Sequence, residues 1–252
     1  MYKKDGIIYF DCDGNKENYS QRNNQFVWKK DFAEVKNSTM CNVTSYAMFA
    51  DYAGWKLPAG KYTQPEDNFA DFIMNSKEVD DYYKKNYPAM YDDYKAGRKG
   101  CYTPNEIHSI LSYAFNLWVK VPNATRFIER ANFPALCWKN FVLDSLPFVI
   151  SGSFPKSNGV RLNHIVVCTG FAMEEKDYID AANSVKLNGT IPNDIKIVKV
   201  KIDDPYGNTL NDWQGSGNDI FLPWDYVVKN IKPLNSSSVK WAHVIERPVA
   251  VI

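Results

Sequence analysis

Cys41 and His164 are the two residues of this chain whose types and positions suit nucleophilic catalysis. Cys41 opens the segment CNVTSYAMFADYA, where apolar residues recur at helical spacing, so its sulfur is expected in the first turn of a helix. Free N–H groups in such a turn, and an imidazolium nearby, lower the pKa of a thiol from about 8.5. His164 begins the apolar run HIVVCTGF and is expected at a strand end. The pair predicts acyl transfer, with sulfur as nucleophile and imidazole as base; the alternative is a Cys41 that packs as a small buried side chain.

Two other histidines compete with His164 for the role of base. His108 lies in a predicted helix beside Ile107 and is expected on its polar face, partly exposed. His243 alternates with Trp241 and Ile245 in KWAHVIE, which predicts a packed or hydrogen-bonded side chain on a strand. His243 is therefore the second candidate after His164.

A catalytic imidazole needs a third group that fixes its tautomer and orientation. Asp203 and Asp204 are the candidates, at the end of the run IKIVKVKIDDP. Strand alternation puts Asp204 on the apolar face with Val200 and Ile202, and Asp203 on the other face with Lys201. We therefore expect Asp204 to point inward and to orient His164; the alternative is an Asp-Pro pair that only begins a turn.

Four segments resemble the papain-like C39 peptidase clan, specifically its C39-like branch. In that family a Gln follows an N-terminal strand, Cys opens a helix with a C-x-x-T-S-x-A-M pattern, His begins a strand, and Asp precedes Pro. The matching segments cover about an eighth of the chain in the family's order: SQRNN (20–24), TMCNVTSYAM (39–48), NHIVVCTGF (163–171) and DDPYGN (203–208).

The resemblance implies a papain-like fold and a role for each matched residue. Cys41 would be the nucleophile, His164 the general base and acid, Asp204 the orienting carboxylate, and Gln21 the amide of the oxyanion hole. The gap between Gln21 and Cys41 is longer than the corresponding gap in most papain-like enzymes. Gln25 therefore stays open as the alternative oxyanion-hole amide. The plain alternative for both amides is a loop side chain that faces water.

Helix signals dominate the first part of the chain. The helix at Cys41 is expected to stop at Gly54, a second helical region follows Pro65 and breaks before Pro88, and Thr103-Pro104-Asn105-Glu106 is a capping box that predicts a third start. Residues 56–145 form an aromatic-rich helical insertion in this interpretation, which we expect to line one wall of a substrate groove.

After residue 145 the pattern changes to short apolar or alternating runs, which predict strands. Helices followed by strands, without regular βαβ alternation, predict an α+β fold with a largely antiparallel sheet, in one domain spanning 1–252. The forty residues from His164 to Asp204 require an excursion through 174–195, interpreted as a loop or hairpin. The predicted strands lie in LPFVISG, HIVVCTGF, IKIVKVKID, DIFLPW and KWAHVIE.

Composition restricts the partners. Lys plus Arg number 30 and Asp plus Glu 29, without a block of like charge, which argues against binding to nucleic acid or to an anionic membrane. No apolar run suits a signal peptide or a membrane span, so we expect a soluble protein, cytoplasmic or released by a non-classical route. The oligomeric state is left open.

The sequence requires no cofactor for this chemistry. Five cysteines without a CxxC pair argue against a zinc ribbon. A calcium ion is an alternative for the loop 203–219, although its spacing fits no EF-hand and its composition also suits plain turns. The hard oxygen ligands there are Asp203, Asn208, Asn211, Asp212, Asn218 and Asp219.

The expected function is hydrolysis of peptide bonds through a thioester, by a bacterial or phage cysteine protease. The first alternative is a peptidoglycan-degrading endopeptidase or amidase, since the many Tyr and Trp side chains suit a glycan or peptide groove. The second is a non-catalytic binding module on the same fold, against which the intact Cys41, His164 and Asp204 argue.

Overall fold

The computed structural model describes residues 1–14, 16–30, 33–36, 40–98, 100, 102–192, 195–230 and 239–246. Within them the α-helices are α1 (Cys41–Tyr52), α2 (Pro65–Asn75), α3 (Lys77–Asn86), α4 (Pro88–Lys95), α5 (His108–Trp118), α6 (Phe133–Cys137), α7 (Glu175–Asn188) and α8 (Trp224–Asn230). A π-helix, Trp138–Asp144, continues α6, and 3₁₀ turns lie at Gln21–Asn23, Pro104–Glu106 and Thr209–Asn211. The strands are β1 (Tyr2–Lys4), β2 (Ile7–Asp11), β3 (Val27–Lys30), β4 (Ala33–Lys36), β5 (Thr125–Asn132), β6 (Phe148–Pro155), β7 (Arg161–Glu174), β8 (Lys199–Asp203), β9 (Ile220–Pro223) and β10 (Val239–Ile245).

An antiparallel sheet with helices packed on it makes this an α+β fold, as the sequence predicts. The long strand β7 is its centre. Residues 161–168 pair with β6 and residues 170–174 with β2, while residues 167–172 pair with β8. Along the sheet the order is β9, β8, β7, β6, β10 and β5, and β1 extends it beside β2. Strands β3 and β4 form a separate pair.

Both faces of β7 are buried, each in its own hydrophobic cluster. Ile165 and Val167 pack with α1, α2, α3 and α5 on one face. Val166 and Cys168 pack with α6, the π-helix and α7 on the other. Successive side chains of a strand point to opposite faces, so a strand covered on both sides is apolar throughout, which explains the run HIVVCTGF.

The predicted helix at Cys41 is confirmed, and Gly54 follows it with a φ of +79° that suits glycine. The region after Pro65 is also helical and breaks before Pro88. The predicted capping box at Thr103–Glu106 is present, but it does not begin the α-helix. It closes the 3₁₀ turn Pro104–Glu106, and α5 begins only at His108 because Ile107 is extended (φ −94°, ψ 108°).

Two element predictions need correction. The segment 56–145 is not wholly helical, because β5 lies within it and pairs with β10. The polar excursion 174–195 is not a loop or hairpin: it contains α7. Tyr178, Ala181, Ala182 and Val185 recur at helical spacing and pack on the core, and this narrow apolar stripe is enough to fix the helix.

The predicted strands after residue 145 are all present, as β6 to β10. None of the helices that the structure describes is long and apolar enough to cross a membrane.

Candidate active site

Cys41 is the first residue of α1, and its side chain is partly exposed. Met40 precedes it without offering a side-chain cap, and the Met40 carbonyl accepts the first helical bond from Thr44 N–H at 2.9 Å. The N–H groups of a first turn have no acceptor within the helix, so the sulfur lies at the positive end of the α1 dipole.

Helix α1 is held against β7 next to the candidate base. Ser45 lies one turn after Cys41, and its hydroxyl donates to the carbonyl of Ile165 at 3.1 Å. Ile165 directly follows His164, so a single hydrogen bond fixes the start of the helix relative to the start of the HIVVCTGF run. Ser45 was part of the C-x-x-T-S pattern, although the sequence did not assign it this contact.

His164 contacts both of its expected partners. Its Nε2 lies 2.7 Å from Asp204 Oδ1, and its ring also interacts with the Cys41 side chain. Since Nε2 faces the carboxylate, Nδ1 is the nitrogen left for the sulfur. Burial disfavours the imidazolium, but the charge and hydrogen bond of Asp204, together with the contact to Cys41, outweigh it and raise the pKa of His164 to about 10.

Three aromatic rings enclose His164, which is only 3% exposed. The ring centroids of Phe154, Tyr206 and Trp213 lie 5.7, 6.2 and 6.4 Å from the imidazole, each close to perpendicular to it. This wall keeps water from the side of the ring that faces Asp204. Sequence patterns do not indicate this wall, because Tyr206 and Trp213 lie in an irregular loop.

Asp204 is fully buried, and both of its oxygens accept hydrogen bonds. Oδ1 accepts from His164 and, at 2.8 Å, from the backbone N–H of Tyr206, while Oδ2 accepts from Trp213 Nε1 at 3.0 Å. The bond to Tyr206 N–H is the turn contact of an Asp-Pro pair. The turn and the orienting contact therefore occur together in one side chain, and the inward direction predicted for Asp204 is confirmed.

Gln21 and Gln25 lie in different surroundings. Gln21 begins the 3₁₀ turn Gln21–Asn23, is buried, and donates its backbone N–H to the Pro205 carbonyl at 2.9 Å, next to Asp204. Gln25 is exposed, and its backbone N–H donates to Asp67. A water-facing amide is thus correct for Gln25 and wrong for Gln21, and the oxyanion role of Gln21 stays a prediction.

Asp203 does not compete for His164: it lies with Lys201 on the face of β8 opposite Val200 and Ile202, as the alternation predicts. Asp203 and Lys201 are also buried, because a carboxylate cluster surrounds the Lys201 ammonium. Its Nζ lies 2.7 Å from Asp11, 2.6 Å from Asp13 and 2.6 Å from Asp219. Asp203 accepts the Asp219 backbone N–H at 2.7 Å, and burial raises the pKa of Asp203 to about 7.

This cluster bears on the calcium alternative. Asp13, Asp203 and Asp219 each offer an oxygen within 4.8 Å of the others, which would suit a cation, and the Lys201 ammonium is already bonded to two of them. Several of the other expected ligands form hydrogen bonds to loop residues instead. Asn208 accepts from Leu210 N–H, Asp212 binds Ser157, and Asn218 accepts from Asn18 N–H. Calcium therefore stays a prediction, centred on Asp203 and Asp219 with Asp13 as a residue that the sequence did not indicate.

His108 and His243 lie together, away from this constellation. His243 is fully buried, with Nε2 2.7 Å from His108 Nδ1 and Nδ1 bonded to the Tyr46 hydroxyl. The packed, hydrogen-bonded state predicted for His243 is confirmed. His108 is partly exposed as expected, but it does not point to water from a polar face, since its ring stacks on Phe127 at 4.9 Å.

The structure thus brings Cys41, His164 and Asp204 together in one line, and it places Gln21 on the loop beside them. Such a line can deprotonate a thiol, hold the imidazolium and return a proton to a leaving group. Comparisons of this chain with family models, curated proteins and solved structures give no match.

Proposed function

We propose that this protein is a papain-like cysteine hydrolase that cleaves peptide bonds through Cys41, His164 and Asp204. The observation that carries the proposal is that the His164 ring contacts the Cys41 side chain on one side and Asp204 on the other. The sulfur is partly exposed whereas the imidazole and the carboxylate are buried, so a substrate can reach the nucleophile but water has little access to its partners.

The arrangement of elements supports the same proposal. A nucleophile at the start of a helix, a base on a strand that packs on this helix, and a carboxylate after the next strand occur in the order of the C39-like family that the sequence resembles. The Ser45 contact to Ile165 fixes the first two against each other.

The reaction has two acyl-transfer steps. The Cys41 thiolate attacks the carbonyl carbon, and His164 transfers its proton to the amine, which leaves as the C–N bond breaks and a thioester remains. His164 then takes a proton from water, whose oxygen attacks the thioester, and the acid is released as the proton returns to sulfur. The Cys41 backbone N–H and the Gln21 amide would hold the oxyanion in both steps.

Cys41→Ala is the direct test. We expect it to abolish hydrolysis of peptides and labelling by iodoacetamide at this position, with the fold unchanged by circular dichroism. Because the chain has five cysteines, labelling must be assigned by peptide mass spectrometry. Cys12→Ala is the matched control: Cys12 donates to the Thr169 carbonyl at 3.0 Å, burial raises the pKa of its thiol, and its loss should leave activity intact. Turnover retained by Cys41→Ala would refute the mechanism.

The substrate is tested separately. Denatured casein and purified peptidoglycan, each incubated with the wild type and with Cys41→Ala, are compared by the new amino groups released. We expect Cys41-dependent release from casein; release from peptidoglycan alone would identify a cell-wall hydrolase. Release from neither substrate, with Cys41 unreactive, would favour a binding module on the same fold.

A further inference from the structure

Trp213 has no part in the two reaction steps, yet it contacts the carboxylate on which they depend. Its indole N–H donates to Asp204 Oδ2 at 3.0 Å, and the side chain is 1% exposed. The other oxygen, Oδ1, accepts hydrogen bonds from His164 Nε2 and from the Tyr206 N–H. Trp213 therefore supplies the contact that holds the oxygen which His164 does not use.

The backbone at Trp213 is fixed on several sides. Its N–H donates to the Asn208 carbonyl at 2.8 Å, and its carbonyl accepts from Arg22 Nη2 at 2.7 Å. Its φ of 61° lies in the left-handed region, which a bulky residue adopts only when its surroundings require it. The indole is thus held in one place by contacts that do not involve Asp204.

Two glycines allow the loop to close this tightly. A Cβ on Gly207, whose φ is +130°, would lie 2.5 Å from the Trp213 carbonyl oxygen. A Cβ on Gly217 would lie 1.9 Å from the Asp204 carbonyl oxygen. The chain on either side of the indole therefore lies directly against the backbone of Asp204 and of Trp213 itself, and little room is left for water.

A buried carboxylate oxygen that loses its donor keeps its charge without a partner, which is costly in a site closed to water. The carboxylate would then rotate towards another donor, which removes the orienting contact to His164. We propose that Trp213 is a positioning residue that keeps Asp204 aimed at His164. This inference rests on the function proposed above, since it concerns the same constellation.

The test is Trp213→Phe, which keeps an aromatic ring and removes the N–H. We expect alkylation of Cys41 at pH 7 to slow by about tenfold or more. We also expect the acid limb of the alkylation profile to move to higher pH, because a carboxylate turned away from His164 no longer stabilises the imidazolium beside the sulfur. In turnover kcat should fall with KM unchanged, since no substrate contact is removed.

Trp138→Phe is the matched control, because Trp138 is also buried, its Nε1 has no hydrogen-bond partner among the described residues, and it packs on Tyr178 of α7. It should lower the melting temperature and leave the alkylation profile unchanged. A Trp213→Phe protein with a wild-type profile would overturn the inference. If the Trp213→Phe protein does not fold, the test uses benzothienylalanine at position 213 instead. That residue keeps the shape of the indole without the N–H.

His164→Ala separates the two proposals. If Cys41 reactivity is insensitive to both His164→Ala and Trp213→Phe, the proposed function fails. If His164→Ala lowers reactivity and Trp213→Phe does not, the proposed function stands and the role of Trp213 is refuted.

Discussion

At the residue scale, the charge on His164 depends on Asp204. Burial by itself lowers the pKa of a histidine, as it does for His243, which is also fully buried. His164 differs because a carboxylate lies 2.7 Å from its Nε2, and its pKa is raised to about 10. The folded pKa exceeds the value of 6.5 expected when unfolded. This pair therefore stabilises the fold most below about pH 6.5, and the contribution is lost as the pH rises through about 10.

Asp204→Asn tests this dependence. The neutral amide removes the charge that offsets burial, so the pKa of His164 should fall to 6.5 or below. We expect Cys41 alkylation at pH 7 to drop by about tenfold or more, and the alkaline limb of kcat/KM to move from about pH 10 to below pH 7. The checks are iodoacetamide kinetics and the NMR titration of the His164 ring. An alkaline limb that stays near pH 10 would contradict the role given to Asp204.

The site residues that the sequence predicts lie in local periodic patterns, whereas the residues that it misses are placed by contacts between distant segments. Cys41, His164 and Asp204 each stand at the end of a periodic segment, so their positions follow from local patterns. Trp213 has no such pattern around it, because its place depends on a loop closed by glycines. For Lys201 the alternation gives the correct face but not the burial, because two of its carboxylate partners lie 190 and 188 residues away.

At the element scale, Lys201 joins β8 to the end of β2 and to the start of β9. Asp11 ends β2 and Asp13 follows it, whereas Asp219 precedes β9. Burial lowers the pKa of Lys201, but its hydrogen bonds to these three carboxylates outweigh burial and raise the pKa above its usual value. The cluster fixes β8 on both edges, immediately before Asp204.

Lys201→Met should therefore destabilise the sheet. Removing one partner of a buried charge cluster costs about 3–5 kcal/mol, because the remaining carboxylates lose their counter-ion. Those carboxylates would take up protons more readily when folded than when unfolded. The variant should accordingly gain stability relative to the wild type as the pH falls from 7 to 5.

Urea unfolding at pH 7 and at pH 5 measures the free energy of unfolding of each protein. Lys199→Met is the matched control, because Lys199 lies on the same strand but outside the cluster. Equal loss in the two variants would mean that the ammonium contributes nothing specific.

Elements with long periodic signals were predicted and those with weak ones were not. Helix α1 and strand β7 are apolar and continuous, so the sequence identifies them. Helix α7 was missed because only a narrow apolar stripe carries its pattern within a polar segment. The capping box shows a different limit: a correct local motif closed a 3₁₀ turn, since Ile107 extends before α5 begins.

At the scale of the whole molecule, one sheet separates two hydrophobic clusters, and the candidate site lies where α1 meets that sheet. The α+β class followed from the order of helical and strand patterns. The strand order did not, because β7 pairs with β2, β6 and β8 through contacts between distant segments. The pairing of β5 with β10 was beyond the sequence for the same reason.

A buried polar network ties the helices to this sheet. His243 on β10 bonds to Tyr46 of α1 and to His108 of α5. Burial lowers the pKa of His108 to about 4. The pKa of His243 is lowered too, mainly by burial and to a lesser extent by the nearby His108. Both rings are thus neutral in the folded protein near neutral pH. The unfolded chain binds their protons from about pH 6.5 downward, so folding stability should decrease as the pH falls from 6.5 towards 4.

His108→Phe isolates this contribution, because phenylalanine can still stack on Phe127 but cannot bind a proton. At pH 7 the variant should be less stable than the wild type, since His243 Nε2 loses its partner. Between pH 7 and 4.5 the wild type should lose roughly 2–3 kcal/mol more than the variant, the penalty for a pKa that moves from 6.5 to about 4. Urea unfolding at the two pH values gives the four free energies, and titration of the carboxylates cancels in the difference. Parallel losses in the two proteins would show that this network does not make the fold acid-sensitive, and that the acid limb of activity arises at the site alone.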